Sequence, residues 1–364
     1  MHVVIDARLL RQTGVGRYIR NLVSNLAQID RLNRYTLLVH PGEEREITLP
    51  ANFRFLHCFL PWHSLSEQII MPVLLNRIKP DVFHVPYINY PVFYRGKTVL
   101  TIHDLTILNF KTGRASTRNF LVYEIKHLFY RIILGRAVKL AKVIITVSRH
   151  VSFLLEENYP GLKNKLKVIY EGIDPAFIDQ APAGPRPIKE PYFLYVGNAY
   201  PHKNLETLVE AYGMFLKDNP DHFLVLIGPE DYFYRRLRNG LPNQIKNRII
   251  FPGFLVDLEL KRYYQYARAA VFPSFEEGFS LPLLEALKLK TQVICSDIPV
   301  FRETVGEYAT FFKPQDPIEL ASKMASVKSV KLNSPGEEFF QKYSWRKLAF
   351  ETLKAYEAIV KEKV

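Results

Sequence analysis

Residues 273 to 287 read Pro-Ser-Phe-Glu-Glu-Gly-Phe-Ser-Leu-Pro-Leu-Leu-Glu-Ala-Leu. The apolar run Ala269 to Phe272 before them reads as a buried strand. Pro273, Gly278 and Pro282 then punctuate a loop, and Leu283 to Leu287 begins a helix. Pro282 suits the first helical turn, where its missing N–H removes no hydrogen bond, and the free N–H groups of that turn form a seat for phosphate. Glu277 and Glu285, with seven residues between them, flank the seat. Carboxylates so placed do not bind phosphate; they accept hydrogen bonds from hydroxyls on either side of it. The same spacing also fits a plain strand-to-helix corner with a solvated Glu277.

Around this stretch the carboxy-terminal half alternates strands and helices. Strands are predicted at Phe193–Val196, Phe223–Ile227, Ile249–Phe251 and Ala270–Phe272, and helices at Asn204–Leu216 and Leu258–Ala267, a pattern that argues for a parallel sheet covered on both faces. Val293-Ile294-Cys295 is strand-like core. Residues 173 to 191 hold the densest run of prolines and read as a linker. Before it, strands are predicted at His2–Ala7, Tyr35–His40, Phe53–Phe59, Asp81–Val85, Thr98–Ile102, Val143–Val147 and Leu166–Tyr170. Val15, Ile19, Leu22, Val23 and Leu26 mark one helix face, and Ser64 to Glu67 is a capping box for a helix reaching about Ile78. Gly14 and Gly16 allow close backbone approach at a helix start, for a ligand or simply for a tight turn; the longer dinucleotide fingerprint is absent, since Arg17 and Tyr18 follow with no third glycine. His103 and Asp104 fall at the carboxyl end of a strand, where open α/β sheets bind ligands. Residues 114 to 142 form a long basic helical stretch whose apolar residues read mainly as core, with Phe110 to Arg114 offered to an acceptor or lipid. Ser344 to Lys361 is a helical tail.

With 364 residues the chain exceeds what one core usually serves, so two domains are expected. The stretch from Met1 to Ala7 reads as a strand rather than a signal peptide, and no apolar run reaches membrane-spanning length without a charge, which points to a cytoplasmic protein, soluble or peripheral on the inner membrane face. Cys58 and Cys295 lie far apart with no metal-ligand spacing. The net charge of +13 is lopsided: residues 1 to 172 hold 24 Lys and Arg against 12 Asp and Glu, and the remainder 25 against 24. The excess predicts an anionic partner for the first half, an anionic membrane being favoured since no recognisable nucleic-acid-binding motif occurs, with a solvated basic face without a partner as the alternative.

Two glutamates bracketing Gly278-Phe279-Ser280-Leu281-Pro282-Leu283-Leu284 closely resemble the nucleotide-sugar motif of the retaining GT-B glycosyltransferases of family 4. The resemblance implies a GT-B fold: two Rossmann-like, doubly wound parallel-sheet domains facing a cleft, residues 1–172 for the acceptor and 192–343 for the nucleotide sugar, joined by the linker 173–191. The tail, 344–364, then packs back toward the first domain. It implies that Glu277 contacts the donor sugar, Glu285 the ribose, and the backbone of Gly278, Phe279, Ser280 and Leu281 the diphosphate; Ser280 stands where the family commonly has glycine. Gly14 and Gly16 would face the donor phosphate, and Arg17 the acceptor. His103 would meet the donor sugar or charge developing near it, and Asp104 the loop or the acceptor. Gly197, Asn198 and Lys203 would serve the diphosphate, with Asn198 replacing the arginine many members carry, and Phe254 would lie where the base is framed. The pattern of Gly197 to Asn204 resembles the subgroup in which mannosyltransferases are common, so GDP-mannose is the expected donor and a glycan or lipid-linked hydroxyl the acceptor. A UDP-sugar donor and a non-catalytic membrane-binding role are the alternatives. No Asp-x-Asp occurs, so neither a metal nor another cofactor is expected.

Overall fold

The computed structural model describes residues 1–62, 64–109, 120–179, 184–327 and 334–361. They divide into two compact units: Met1–Asn109 with residues 120–172 and 342–361, and Ile173–Gln341.

The first unit is built on a seven-stranded sheet: β1 (His2–Asp6), β2 (Arg34–Val39), β3 (Phe53–His57), β4 (Val82–Val85), β5 (Thr98–Ile102), β6 (Val143–Thr146) and β7 (Leu166–Val168), ordered β3-β2-β1-β4-β5-β6-β7 and parallel throughout. The order reverses beside β1, whose residues are all buried; Val3 pairs with Val82 on one side and Tyr35 on the other. A strand covered on both faces is apolar along its middle, as Val3-Val4-Ile5 is, with the buried His2 and Asp6 at its ends. Helices α1 (Gly14–Ile29), α2 (Leu65–Ile78), α3 (Phe120–Leu140) and α4 (Arg149–Asn158) follow the strands. The core between α2, α3, α4 and one sheet face includes Leu75, Leu134, Val138, Val151 and Leu155. Leu128, Phe129 and Ile132, expected mainly as core, lie outside it, at 59, 48 and 49 % exposure. The helical turn carrying Leu134 and Val138 meets the sheet, so residues on the opposite side of α3 face outward. The stretch Phe110 to Arg114 lies outside the described residues.

The second unit carries a six-stranded parallel sheet: β8 (Tyr192–Val196), β9 (Phe223–Ile227), β10 (Ile249–Gly253), β11 (Ala269–Phe272), β12 (Val293–Ser296) and β13 (Thr310–Phe312), ordered β10-β9-β8-β11-β12-β13. Its longer helices are α5 (Leu205–Leu216), α6 (Tyr232–Asn239), α7 (Asp257–Tyr266), α8 (Leu281–Lys288) and α9 (Pro317–Ser326). The expected linker is not wholly extended: Pro175–Ile178 forms a helical turn whose Phe177 is buried edge-on to Tyr264, 6.2 Å between ring centres. Both sheets reverse strand order at the first strand of the unit, the doubly wound arrangement in which ligands meet the carboxyl edge.

The tail helix α10 (Trp345–Lys361) returns to the first unit and packs on α1. Three features hold it there. Gly172 lets Trp345 close in, since a Cβ at Gly172 would lie 2.2 Å from the Trp345 nitrogen. Lys97 Nζ donates to the carbonyl of Ile359 at 2.7 Å, a cation on the negative end of the helix. Inside, Tyr356 and Thr101 hydroxyls meet the two ring nitrogens of fully buried His84 at 2.6 and 2.8 Å, and Tyr18 joins Thr101 at 3.1 Å.

Burial pulls the His84 ring down to about 3, so it is neutral in the folded protein. Its unfolded counterpart takes up a proton near pH 6.5, so stability is complete above that value and falls as pH drops toward 3. Urea unfolding of wild type and His84→Asn across pH 7 to 4 is expected to show the wild-type advantage shrinking by about 1.4 kcal/mol per pH unit below about pH 6.

Candidate active site

At the carboxyl edge of the second sheet, two loops meet. One runs from β8 to α5 and carries Lys203; the other runs from β11 to α8 and carries Glu277. Lys203 Nζ donates to both Glu277 carboxylate oxygens, at 2.6 and 2.7 Å, and Ser274 Oγ donates to Oε1 at 2.8 Å. The pair is mostly withdrawn from water, at 17 and 14 % side-chain exposure. Burial pushes the Glu277 carboxyl up, but Lys203, His202 and Ser274 outweigh it, holding the group below the usual carboxylate range and ionised at neutral pH.

The loops are stitched together around this pair. The Phe275 N–H donates to the His202 carbonyl at 2.8 Å. Asn204 donates through Nδ2 to the carbonyls of Pro273 and Pro314, at 2.9 and 2.6 Å, and its Oδ1 accepts from Thr207. Asn204 does this from left-handed backbone, φ 57°, which asparagine tolerates better than most residues. Ser280 ends the second loop at φ 95° and ψ 79°, and Pro282 sits in the first turn of α8. A side chain at that angle is strained, which gives a physical meaning to the glycine common at this position in the resemblance.

Gly278, Phe279, Ser280 and Leu281 form the corner into α8, with Phe279 and Leu281 buried. Glu285 lies further along α8 at 1 % exposure, where the Tyr264 hydroxyl donates to Oε2 at 3.2 Å. The carbonyls of Gly197 and Asn198 accept from the buried tyrosines Tyr234 and Tyr195, at 2.8 and 2.6 Å. A residue the sequence reading passed over makes this possible: a Cβ at Gly228, after β9, would lie 2.0 Å from the Gly197 carbonyl oxygen. Phe254 follows β10 and is 69 % exposed.

At the carboxyl edge of the first sheet, His103 follows β5. Its Nδ1 lies 3.0 Å from Glu171 Oε1 and its Nε2 2.9 Å from the Pro86 carbonyl oxygen, with the Tyr18 ring edge-on at 4.8 Å. Burial lowers the ring's proton affinity, but Glu171, Pro86 and Asp104 raise it further, so the net shift is upward. The Asp104 carboxylate accepts from the Thr106 N–H at 3.0 Å, shaping the following turn. Gly14 and Gly16 begin α1. A Cβ at Gly16 would lie 2.5 Å from the Leu10 carbonyl oxygen, so the chain's own backbone requires that glycine, whereas a Cβ at Gly14 would meet open space. Arg17 is half-buried one residue on. The same edge holds an ionic cluster missed in the sequence. Arg8 is 2 % exposed and donates to Asp6 at 2.6 and 2.8 Å, to the Leu60 carbonyl and to Glu67, which Asn89 also contacts. Burial, countered by Arg8 and Asn89, leaves the Glu67 carboxyl raised to about 7. Arg8 therefore joins the end of β1, the chain after β3 and the first turn of α2 beside a hollow that Trp62 and Tyr87 also line. Among the described residues no three His, Cys, Asp or Glu side chains converge as metal ligands.

Two substitutions separate scaffold from strain. Asn204→Ala removes two buried donors and places alanine in the left-handed region, with an expected loss of about 2–3 kcal/mol in denaturant unfolding. Ser280→Gly relieves the corner and is expected to raise stability by up to about 1 kcal/mol. Unchanged midpoints for both would refute this account of the loops.

The model of Glycosyltransferase Family 4 matches residues 12–177, and that of Glycosyl transferases group 1 matches residues 178–336. The chain is 25 % identical to O-antigen chain mannosyltransferase B of Escherichia coli over 95 % of its length and 96 % of the relative's. It is 27 % identical to O-antigen chain mannosyltransferase RfbU of Salmonella typhimurium, over 74 % of this chain and 71 % of that one. Among solved structures, sucrose-phosphate synthase from Thermosynechococcus elongatus superposes with a TM-score of 0.74 at 19 % identity, covering 98 % of both chains. HepE of Anabaena in complex with UDP and glucose gives 0.72 at 15 % identity, over 98 % of this chain and 99 % of that one. With its two sheets wound in the GT-B manner and the two models together matching residues 12–336, the chain belongs to the family 4, group 1 glycosyltransferases.

Proposed function

We propose that this glycosyltransferase moves mannose from GDP-mannose to a hydroxyl of a glycan or lipid-linked acceptor, with retention of anomeric configuration. The observation that carries the reading is the Glu277 carboxylate, held ionised by Lys203 and Ser274 beside the corner that opens α8. An ionised carboxylate accepts from sugar hydroxyls, while the N–H groups at the start of α8 and the Lys203 ammonium offset charge on a leaving diphosphate. Glu285, braced by Tyr264, accepts from the ribose. The acceptor oxygen bonds to the anomeric carbon on the face from which the phosphate oxygen departs; the bonding pair leaves with the phosphate, which takes the acceptor's proton. No protein nucleophile enters, and no metal is needed. The names of the O-antigen relatives support mannose. The UDP seen with HepE favours, as a second reading, a UDP-sugar on the same machinery.

Calorimetric titration with GDP and with UDP, in chelator and again with magnesium, decides between them. GDP is expected to bind without metal and to be lost in Lys203→Ala; a preference for UDP moves the donor, and binding of neither sinks the reading. Glu277→Gln, still able to meet Lys203, is expected to lower kcat by about 100-fold or more at unchanged melting temperature.

The acceptor side is peripheral on an anionic membrane in this reading, with the enzyme on the cytoplasmic face. Leu128, Phe129 and Ile132 on α3 are exposed together with Arg131, Arg136 and Lys139, and the sequence from His127 to Lys142 contains no acidic residue. Apolar side chains entering the headgroup layer beside cations, each worth about 1 kcal/mol, give reversible binding. Among the described residues no helix is long and apolar enough to cross a membrane. Flotation with phosphatidylglycerol vesicles is expected, flotation with phosphatidylcholine is not, and Phe129→Asp with Ile132→Asp abolishes it; equal flotation on both lipids would refute the electrostatic part.

A further inference from the structure

His103 is held at both ring nitrogens by groups that accept hydrogen bonds. On one side stands the Glu171 carboxylate, 3.0 Å from Nδ1; on the other stands the Pro86 carbonyl, 2.9 Å from Nε2. A backbone carbonyl cannot donate, so Nε2 must carry a proton. An ionised carboxylate cannot donate either, so Nδ1 must carry one as well. Both contacts are hydrogen bonds together when the ring is an imidazolium. The surroundings agree. Glu171 is 9 % exposed in its side chain and His103 12 %, so the pair is little screened. Asp104, next in sequence, adds a second negative charge. Tyr18, from α1, meets the ring edge-on, and burial keeps its phenol neutral at ordinary pH. His84, from β4, is neutral and adds no competing charge.

We propose that Glu171 is a positioning residue that keeps His103 doubly protonated, so that the ring serves glycosyl transfer as a fixed cation and not as a proton acceptor. The inference rests on the transferase reading for its catalytic half and on geometry alone for its protonation half. With both N–H groups engaged and no lone pair, the ring cannot take the acceptor's proton; that proton leaves with the phosphate. The cation is present below the ring's raised pKa and is lost as pH climbs through it.

Nitrogen-15 NMR of the histidine-labelled full-length protein, assigned with His103→Gln, tests the first half. At pH 7.5 both His103 nitrogens are expected at protonated shifts, and in Glu171→Gln the ring titrates lower by about one pH unit or more. The alkaline limb of the kcat profile is expected to move down with it, nucleotide affinity by calorimetry staying unchanged, and Glu171→Asp to restore both in part. One unprotonated nitrogen in wild type at pH 7.5 would show that Glu171 does not keep the ring doubly protonated and overturn the proposal; so would a ring titration that Glu171→Gln leaves in place. A ring that shifts while the alkaline limb stays overturns the catalytic half. Absence of transfer from any nucleotide sugar would count against the transferase reading, and the NMR result would still stand.

Discussion

Lys203 and Glu277 belong to loops 74 residues apart in sequence, and each is a charge that the fold withdraws from water. Neither could be buried alone, because an unpaired charge in a poorly solvated site costs several kcal/mol. The two loops must therefore arrive together. The Asn204 side chain, donating to backbone carbonyls, and the backbone Phe275-to-His202 hydrogen bond make them do so. The strained angle at Ser280 belongs to the same constraint, since the chain has to turn sharply from Glu277 into α8 for the helix start to lie beside the pair.

The first domain uses buried polar contacts in the same way. Arg8 joins a strand end, a loop and a helix start at the carboxyl edge of its sheet, and His84 ties the strands to the returning tail through Tyr356. The two arrangements differ in charge. Arg8 lies among carboxylates, whereas the His84 network is neutral and made of hydroxyls and one imidazole. A neutral network avoids the desolvation of ions, and acid weakens it only when the unfolded chain gains a proton that the folded chain refuses.

The carboxyl edges of the two sheets differ in their electrostatics. The second domain holds an ionised carboxylate against an ammonium at the carboxyl edge of its sheet. The first offers a histidine whose two ring nitrogens are already engaged by protein acceptors. A side chain engaged at both ring nitrogens is held in one orientation.

The sequence by itself determined the two parallel sheets. Unbroken apolar runs such as Val3-Val4-Ile5 and Ala269 to Phe272, alternating with helical stretches, read as strands covered on both faces, and Pro282 fits the first turn of a helix. The family was legible there as a resemblance, because Glu277, Gly278 and Glu285 lie close enough in the chain to form one motif, although their spacing alone also fits a plain strand-to-helix corner. Tertiary structure alone decided what those residues touch. Glu171 is 68 residues from His103 and Glu67 is 59 from Arg8, and nothing local in the chain marks either pairing. Helical periodicity placed Phe129 and Ile132 on α3 but not on its outer side, since a helix apolar around much of its circumference leaves the buried face to be chosen by the sheet it meets.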